Sequence, residues 1–263
     1  MKIWAVANQK GGVGKTTTAI SLAGVLHNRH AKVLLVDLDP HGSLTSYFGL
    51  NPDNIEFSGY DLFLQTQDVQ AVIRKTRFEN IHVLPASSAL ATLDRQLGAK
   101  EGMGLVIKKS LEHVSEVYDY ALLDCPPMLG LLMVNALAAC ERLLIPVQTE
   151  FLALKGLERM TNTLNMIQKA RKQNIIQTIV PTFYDQRLNA SIDTLKILRS
   201  TYSTLIWDGL IPIDTQFRDA SSHGAPLTIE RPSCRGSRAY SNLLDFLLGE
   251  KQLETMAAWS DAL

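Results

Sequence analysis

The sequence predicts an α/β protein in which a doubly wound, mostly parallel sheet is flanked by helices. Short apolar runs alternate with longer segments of helical pattern along the 263 residues. The apolar runs are continuous and do not alternate with polar residues, which is typical of strands buried on both faces. One run leads directly into a glycine-rich loop that a helical pattern follows. This order of elements favours a parallel sheet with right-handed crossovers.

The individual elements follow from the spacing of apolar residues. Strands are predicted at residues 3–8, 32–39, 81–87, 120–127, 142–148 and 175–183. Helices are predicted at residues 15–29, 103–116, 130–140, 152–173 and 189–202. The helix at 152–173 carries one apolar stripe at three- and four-residue spacing: Leu157, Met160, Leu164 and Ile167. Because no linker, repeat or low-complexity tract interrupts the pattern, residues 1–263 are predicted to form a single domain.

The composition limits the kinds of partner that the chain can attract. Hydrophobic residues make up 46% and charged residues 20%, and the formal net charge is zero. No global field therefore draws the protein to nucleic acid or to an anionic membrane, and any such binding needs a local patch. Cys125, Cys140 and Cys234 show no metal-like spacing. The first ten residues become polar too quickly for a signal peptide, and no apolar run reaches about eighteen residues, so a cytoplasmic protein is expected.

The segment "NQKGGVGKTTTA" (8–19) predicts a phosphate-binding loop. It lies between a predicted strand and a predicted helix, where glycine backbone N–H groups and the helix N-terminus can surround phosphate oxygens. Lys15 is expected to reach the β- and γ-phosphates, Thr16 to ligate Mg²⁺, and Thr17 to contact the α-phosphate. The predicted nucleotide-binding residues of the loop are Gly11, Gly12, Val13, Gly14, Lys15, Thr16 and Thr17.

The loop departs from the usual pattern at its start. Gln9 stands where the first glycine belongs, and a second lysine, Lys10, follows it. From the residues alone, Lys10 is either a further phosphate ligand or a solvated loop lysine.

Carboxylates at two predicted strand ends indicate a magnesium site beside the phosphate loop. Asp124 ends "YALLD", and Asp37 and Asp39 end "VLLVDLD". Such acids orient the metal in phosphoryl-transfer enzymes. Asp39 also has a purely local interpretation, because an aspartate before Pro40 favours a turn.

Taken together, these motifs resemble the ParA/MinD family of P-loop ATPases with a deviant Walker A motif, and within it the ParA/Soj-like proteins. The resemblance covers most of the chain. Its motifs occur in the family's order: "KGGVGKTTTA", "VLLVDLDPHGS", "LLDCPP", "PVQTEFLALKGL" (146–157) and "IPIDTQFRDASSHGAP" (211–226). His41 and Ser43 depart from the glutamine and asparagine that are usual in the second motif.

The resemblance implies a slow, partner-stimulated ATPase with ATP and Mg²⁺ as ligands, and a homodimer when ATP is bound. It assigns catalytic roles to Lys10, Lys15 and Asp39. Lys10 would contact the phosphates held by the other subunit, and Asp39 would position the attacking water. Thr16, Asp37 and Asp124 would hold the metal, with Asp37 acting through water. Pro212 and Asp214 would contact adenine, although asparagine is common at the position of Asp214.

The resemblance also suggests a surface on which the ATP-bound dimer sits. The expected surface is nonspecific DNA, bound through four arginines: Arg218, Arg231, Arg235 and Arg238. Nearby acids nearly balance these arginines, so an ordinary solvated surface is the competing interpretation. The activity would be carried out at the nucleoid or at a cell pole, with chemotaxis arrays or plasmid or chromosomal DNA as the cargo.

Three other functions compete with this hypothesis. A membrane-associated positioning ATPase of the MinD or FlhG kind is disfavoured by the acidic segment "EKQLETMAAWSDAL" (250–263), which anionic lipid would repel. A biosynthetic amidoligase or synthetase would need a substrate pocket that the sequence does not reveal. A nitrogenase-like iron protein would need cysteine motifs that Cys125 and Cys140 do not fit.

Overall fold

The computed structural model describes residues 1–98, 100–171 and 175–249. Within them, one seven-stranded sheet has the order β3–β4–β2–β5–β1–β6–β7, and all neighbouring strands are parallel except β3 and β4. The strands are β1 (Lys2–Val6), β2 (Val33–Asp37), β3 (Arg74–Lys75), β4 (Ile81–Leu84), β5 (Tyr120–Asp124), β6 (Arg142–Gln148) and β7 (Ile176–Thr182). The predicted doubly wound α/β architecture is therefore observed.

Helices cover both faces of the sheet. They are α1 (Lys15–Asn28), α2 (Ser43–Tyr47), α3 (Gly59–Leu64), α4 (Val69–Val72), α5 (Leu93–Leu97), α6 (Val106–Glu112), α7 (Leu131–Ala139), α8 (Phe151–Arg171), α9 (Asn189–Thr201), α10 (Gln216–His223), α11 (Leu227–Glu230) and α12 (Arg235–Leu248). Two 3₁₀ turns, Ser88–Thr92 and Met103–Leu105, precede α5 and α6. No helix in the described ranges is long and apolar enough to cross a membrane.

Each central strand contributes to two separate hydrophobic cores. In β2, Val33 and Leu35 pack with Trp4 in the core beneath α1 and α12, whereas Leu34 and Val36 pack in the core beneath α6, α7 and α8. Successive side chains of a strand point to opposite faces, so a strand covered on both sides must be apolar at every position. This explains why the strands appear in the sequence as unbroken apolar runs.

Several predicted boundaries are wrong by a few residues. The strand predicted at 32–39 ends at Asp37, and Asp39 lies beyond it in a turn closed by the Gly42 N–H on the Asp39 carbonyl at 2.8 Å. The strand predicted at 81–87 ends at Leu84. Polar and turn-forming residues follow each of these strands, and the apolar pattern does not fix the last residue of a strand to within two residues.

The helix predicted at 103–116 is shorter because another helix interrupts its hydrogen bonding. Asn135 of α7 donates to the Met103 carbonyl at 2.8 Å and accepts the Ile107 N–H at 3.1 Å. Met103 and Ile107 would otherwise form an i to i+4 helical bond. As a result the first turn is 3₁₀ and α6 begins at Val106; the helix also ends earlier than predicted, at Glu112.

The long helix α8 carries the predicted stripe. Leu157, Met160 and Leu164 are fully buried, and Ile167 packs against the same core. The last two residues predicted for this helix, 172–173, lie outside the described residues. So does the acidic segment 250–263, on which the argument against a membrane surface rests.

Candidate nucleotide-binding site

The glycine loop lies at the carboxyl edge of the sheet, between β1 and α1. Gly12 and Gly14 have φ values of 72° and 91°, which side-chain-bearing residues rarely adopt. Nothing lies within 4 Å of the position where a Cβ would stand at Gly11 or Gly12. The loop therefore leaves an open concavity lined by backbone, as a phosphate cradle requires.

Two hydrogen bonds fix this loop to the neighbouring strands, and a third lies within the loop. The Asn8 side chain donates to the Pro146 carbonyl at 2.8 Å and accepts the Lys10 N–H at 3.0 Å. On the other side, the Thr182 hydroxyl donates to the Val13 carbonyl at 2.9 Å. Asn8, Val13 and Thr182 are all buried, so the cradle is attached to β6 and β7 by bonds that water does not contest.

The two lysines of the loop have different surroundings. Lys15 is only 7% exposed, and its ammonium lies 3.3 Å from the Lys10 carbonyl, inside the loop. The Lys10 ammonium instead forms an ion pair with Glu150, at the start of α8, and about a third of its side chain is exposed. Lys15 thus belongs to the cradle, while Lys10 lies at its outer edge.

The predicted metal-binding residues are brought together at adjacent strand ends. Asp37 and Asp124 are directly paired in the register of β2 and β5, and both are buried. The Thr16 hydroxyl donates to Asp124 Oδ2 at 2.6 Å. Asp37 accepts the Thr45 N–H at 2.8 Å and the Thr45 hydroxyl at 2.7 Å through Oδ2. Thr45 thus anchors the Asp37 carboxylate. The sequence reasoning missed Thr45 because only the fold shows this contact.

The electrostatics of this pair fit a divalent cation. Burial raises the pKa of Asp37 to about 6. Burial, and then the charge of Asp37, raise the pKa of Asp124 well above its usual range. Asp124 Oδ1 is buried and has no hydrogen-bond partner among the described residues. A bound Mg²⁺ would stabilise both charges and satisfy oxygen atoms of the kind it prefers.

Asp39 lies next to this pair without being buried as deeply. Its charge contributes to the raised pKa values of both Asp37 and Asp124, so the three carboxylates form one electrostatic cluster. Asp39 Oδ1 accepts the His41 N–H at 3.0 Å and lies 2.9 Å from the His41 ring Nδ1. Asp39 therefore lies in a local turn and also next to the buried pair of Asp37 and Asp124.

A cavity of about 630 Å³ continues from the phosphate loop and has the size of a nucleoside pocket. Thr17 and Pro212, which are predicted to contact the α-phosphate and adenine, line this cavity. The Asp214 carboxylate also borders it, but this group accepts the backbone N–H groups of Gln216 and Gly236, both at 3.1 Å. Asp214 therefore fixes the beginnings of α10 and α12.

Four aromatic residues that the sequence reasoning missed also line this cavity: Tyr47, Phe183, Phe217 and Tyr240. Phe183 has a φ of 53°, which is unusual for a bulky side chain. Its ring lies 3.4 Å from the position of a Cβ on Gly14 and so packs beside the phosphate loop. The Tyr47 hydroxyl donates to the Ala225 carbonyl at 2.7 Å, which connects α2 to the loop after α10.

Comparisons with known proteins agree with this geometry. Residues 1–177 match the AAA domain family. The chain is 38% identical to the sporulation initiation inhibitor protein Soj of Bacillus subtilis (strain 168), over 92% of this chain and 96% of that protein. It is 34% identical to the chromosome partitioning protein ParA of Caulobacter vibrioides (strain NA1000 / CB15N), over 92% of both chains.

The chain belongs to the ParA/Soj family of P-loop ATPases. Its fold also matches cobyrinic acid a,c-diamide synthase from Mycobacterium smegmatis, at 31% identity with a TM-score of 0.82 over 95% of both chains. That protein has been solved with ADP and magnesium and with an ATP analogue and magnesium. The predicted family, fold class and ligands, ATP and Mg²⁺, are confirmed.

In this ParA/Soj-family chain the four predicted arginines do not form one group. Arg235 and Arg238 of α12 are exposed and line a second cavity of about 990 Å³, which Arg187 also borders. Arg218 lies instead at the nucleoside cavity, and Arg231 donates to the Gln216 side chain at 2.9 Å. The sequence reasoning missed Arg187, because only the fold brings it near α12.

Proposed function

We propose that this P-loop ATPase is a dimerising switch that uses nonspecific DNA to position a cargo in the cell. ATP holds two subunits together, Lys10 of each subunit contacts the phosphates bound by the other, and hydrolysis separates them. The observation that carries the proposal is the contrast between the lysines. Lys15 is buried in the cradle, whereas Lys10 is partly exposed at its edge and, among the described residues, forms an ion pair with Glu150 alone.

The surface around the cradle supports pairing of two subunits. Met128 and Leu129 follow β5 and are 75% and 50% exposed, while Phe151 and Leu152 follow β6 and are 65% and 67% exposed. Strand β1, which leads into the cradle, lies between β5 and β6. Apolar side chains therefore flank the phosphate loop on both sides, and clustered exposed apolar groups are typical of protein interfaces.

A trans-acting lysine has a clear physical role in such a dimer. Two facing ATP molecules bring several negative charges close together, and each Lys10 would offset part of that charge, as an arginine finger does. To do so, Lys10 must leave Glu150, whose own negative charge would then lie close to the partner. Because Lys10 would contact the phosphates of the partner's ATP, the loss of the γ-phosphate on hydrolysis would weaken the dimer.

Within each subunit, the remaining predicted residues would hold the metal ion and orient the attacking water. Thr16, Asp37 and Asp124 would hold Mg²⁺, which neutralises charge on the phosphate oxygens when it is bound. Asp39 would orient the attacking water through its carboxylate. Related P-loop enzymes without full activation turn over at roughly 10⁻⁴–10⁻² per second. A partner protein is therefore expected to accelerate hydrolysis.

The DNA surface is proposed at the cavity of Arg187, Arg235 and Arg238. These exposed side chains are near one another, and Arg235 contributes to the lowered pKa of the neighbouring Asp185, although the bond from Arg187 is the larger cause. Arginines on one face can neutralise phosphates without reading sequence. Arg218 and Arg231 stay within this proposal as secondary contacts, because both are exposed.

The cargo proposed is plasmid or chromosomal DNA, which the name of the Caulobacter relative supports. Chemotaxis arrays are the competing cargo. The neighbouring genes discriminate between them, since a centromere-binding partner gene would indicate DNA and chemotaxis genes would indicate arrays. Association with the nucleoid or a cell pole follows from the same proposal.

A second candidate is an amidoligase, favoured by the match to cobyrinic acid a,c-diamide synthase. The cavity of about 990 Å³ meets the nucleoside cavity at Pro212 and Ile213 and has room for a small-molecule substrate. Phosphate release that requires an added carboxylic acid and a nitrogen donor would support this candidate. Release stimulated by DNA and a partner protein would contradict it.

The oligomeric state tests the main proposal. We expect the wild-type chain to form a dimer with ATP and a monomer with ADP, measured by light scattering after size exclusion. Asp39→Ala should lengthen the lifetime of the ATP dimer, because hydrolysis would no longer separate the subunits. A monomer under every nucleotide condition would contradict the proposal.

A further inference from the structure

The turn that carries Asp39 has an unusual side-chain contact. Asp39 Oδ1 accepts the backbone N–H of His41 at 3.0 Å and also lies 2.9 Å from the His41 ring Nδ1. Gly42, with a φ of 59°, closes the same turn through its N–H on the Asp39 carbonyl. One oxygen of the carboxylate is thus bound twice by the same residue, while Oδ2 has no hydrogen bond to any described residue.

We propose that His41 is a positioning residue for Asp39. This inference rests on the proposed role of Asp39 in orienting the attacking water. A carboxylate only accepts hydrogen bonds, so the contact requires a proton on Nδ1 of the ring. Two donors on Oδ1 restrict rotation of the carboxylate and leave Oδ2 as the oxygen for water.

The exposure of the two side chains supports a positioning role over a packing role. The His41 side chain is 83% exposed and contributes little to the core, whereas the Asp39 side chain is only 17% exposed. The imidazole therefore acts on the molecule mainly through this hydrogen bond. His41 replaces the glutamine of the family pattern, so the ring contact is a property of this chain.

The contact also accounts for how Asp39 is held without a strong partner elsewhere. Asp37 contributes only an acceptor to the neighbouring backbone, through the Asp39 N–H at 3.1 Å. The carboxylates of Asp37 and Asp124 lie close to Asp39: burial is the main cause of their raised pKa values, and the charge of Asp39 adds a smaller contribution to both. A donor on the far side of Asp39 opposes the repulsion between these like charges.

Single-turnover hydrolysis of radiolabelled ATP tests this assignment with a matched pair of variants. His41→Leu keeps a similar side-chain size but removes the donor, and His41→Asn keeps an N–H at the position of Nδ1. We expect His41→Leu to lower the rate constant about 3- to 10-fold, the value of one hydrogen bond, without changing the apparent affinity for ATP. His41→Asn should stay within about twofold of wild type.

His113→Leu is the control, because His113 is also exposed and its Nδ1 contacts the Lys109 carbonyl of its own helix end at 2.8 Å, away from Asp39. The inference is overturned if His41→Leu matches wild type, if His41→Asn falls as far as His41→Leu, or if only the affinity changes. Asp39→Ala separates the two proposals. If it retains wild-type turnover, the role of Asp39 in the proposed function fails. If it is inactive, the His41 variants decide the inference alone.

Discussion

The phosphate end and the nucleoside end of the nucleotide site are built from different kinds of sequence. At the phosphate end, one unbroken segment, residues 8–16, supplies the cradle, and two adjacent strand ends supply the carboxylates. At the nucleoside end, side chains from α2, the segment after β7, α10 and α12 converge on one cavity. Phosphate binding needs a particular backbone and fixed charges, whereas a base needs mainly apolar contact area, which many residues can provide.

The two ends also differ in their cost to the folded state. At the phosphate end, the burial of Asp37 and Asp124 disfavours their charged forms, whereas the lining of the nucleoside end includes four aromatic side chains. The two buried carboxylates therefore destabilise the nucleotide-free protein, and bound Mg²⁺ and triphosphate would offset this cost.

The largest effect is expected at the phosphate end. Lys15→Ala removes the buried ammonium of the cradle and should lower the rate of ATP hydrolysis by about 10²–10³-fold, the usual loss for a preorganised electrostatic group. Phosphate release under single-turnover conditions measures this rate. Lys196→Ala, which removes an exposed lysine of α9, is the control and should hydrolyse at the wild-type rate. A Lys15→Ala rate within threefold of wild type would show that the cradle does not depend on this charge.

The nucleoside end should respond in affinity and not in chemistry. Phe183→Ala removes a ring that lines the cavity, and a loss of about 1 kcal/mol of aromatic contact would weaken ATP binding about fivefold. The rate at saturating ATP should be unchanged. Phe183→Leu, which keeps most of the apolar area, should bind nearly as well as wild type. Titration with a fluorescent ATP analogue measures both variants, and an unchanged affinity in Phe183→Ala would place the base elsewhere.

Removal of a buried charge should stabilise the nucleotide-free protein. Asp124→Asn replaces the carboxylate with a neutral group that can still accept from Thr16, and it should raise Tm at pH 7.5 by about 3 °C, the shift that about 1 kcal/mol gives in a chain of this size. The gain should vanish near pH 4, where the native carboxyl is protonated. Asp193→Asn, at an exposed ion pair, is the control. A lower Tm for Asp124→Asn at pH 7.5 would show that the buried charge of Asp124 does not destabilise the nucleotide-free protein.

The pH alone should also change the stability of the nucleotide-free protein continuously. The folded-state pKa of Asp37 is raised to about 6, above its ordinary value, so the folded state binds more protons than the unfolded state between the two values. The contribution of Asp37 to stability is therefore present at low pH and is lost as pH rises to about 6. Urea unfolding of wild type and Asp37→Asn over this range should show a difference that changes with pH. A constant difference would argue against the raised pKa.

The same contrast explains how much of the molecule could be predicted from its sequence. The positions of Gly12, Lys15 and Asp124 at the carboxyl edge of the sheet were predictable, because these positions depend on neighbours in the chain or on the ends of apolar strands. Tyr47 and Phe183 were not, because the fold alone brings them to the cavity. Apolar periodicity also could not show that Asn135 interrupts the hydrogen bonding of a helix from another part of the chain.

The central claim is that Lys10 acts on the nucleotide of a second subunit. Sedimentation equilibrium with ATP tests it most directly in the Asp39→Ala background, where slow hydrolysis allows the dimer to be measured. Adding Lys10→Ala should raise the dimer dissociation constant at least tenfold, while adding Lys196→Ala should leave it unchanged. ATP affinity of the monomer should be the same in all three proteins. If the Lys10→Ala protein forms the ATP dimer as tightly as its parent, the claim is wrong.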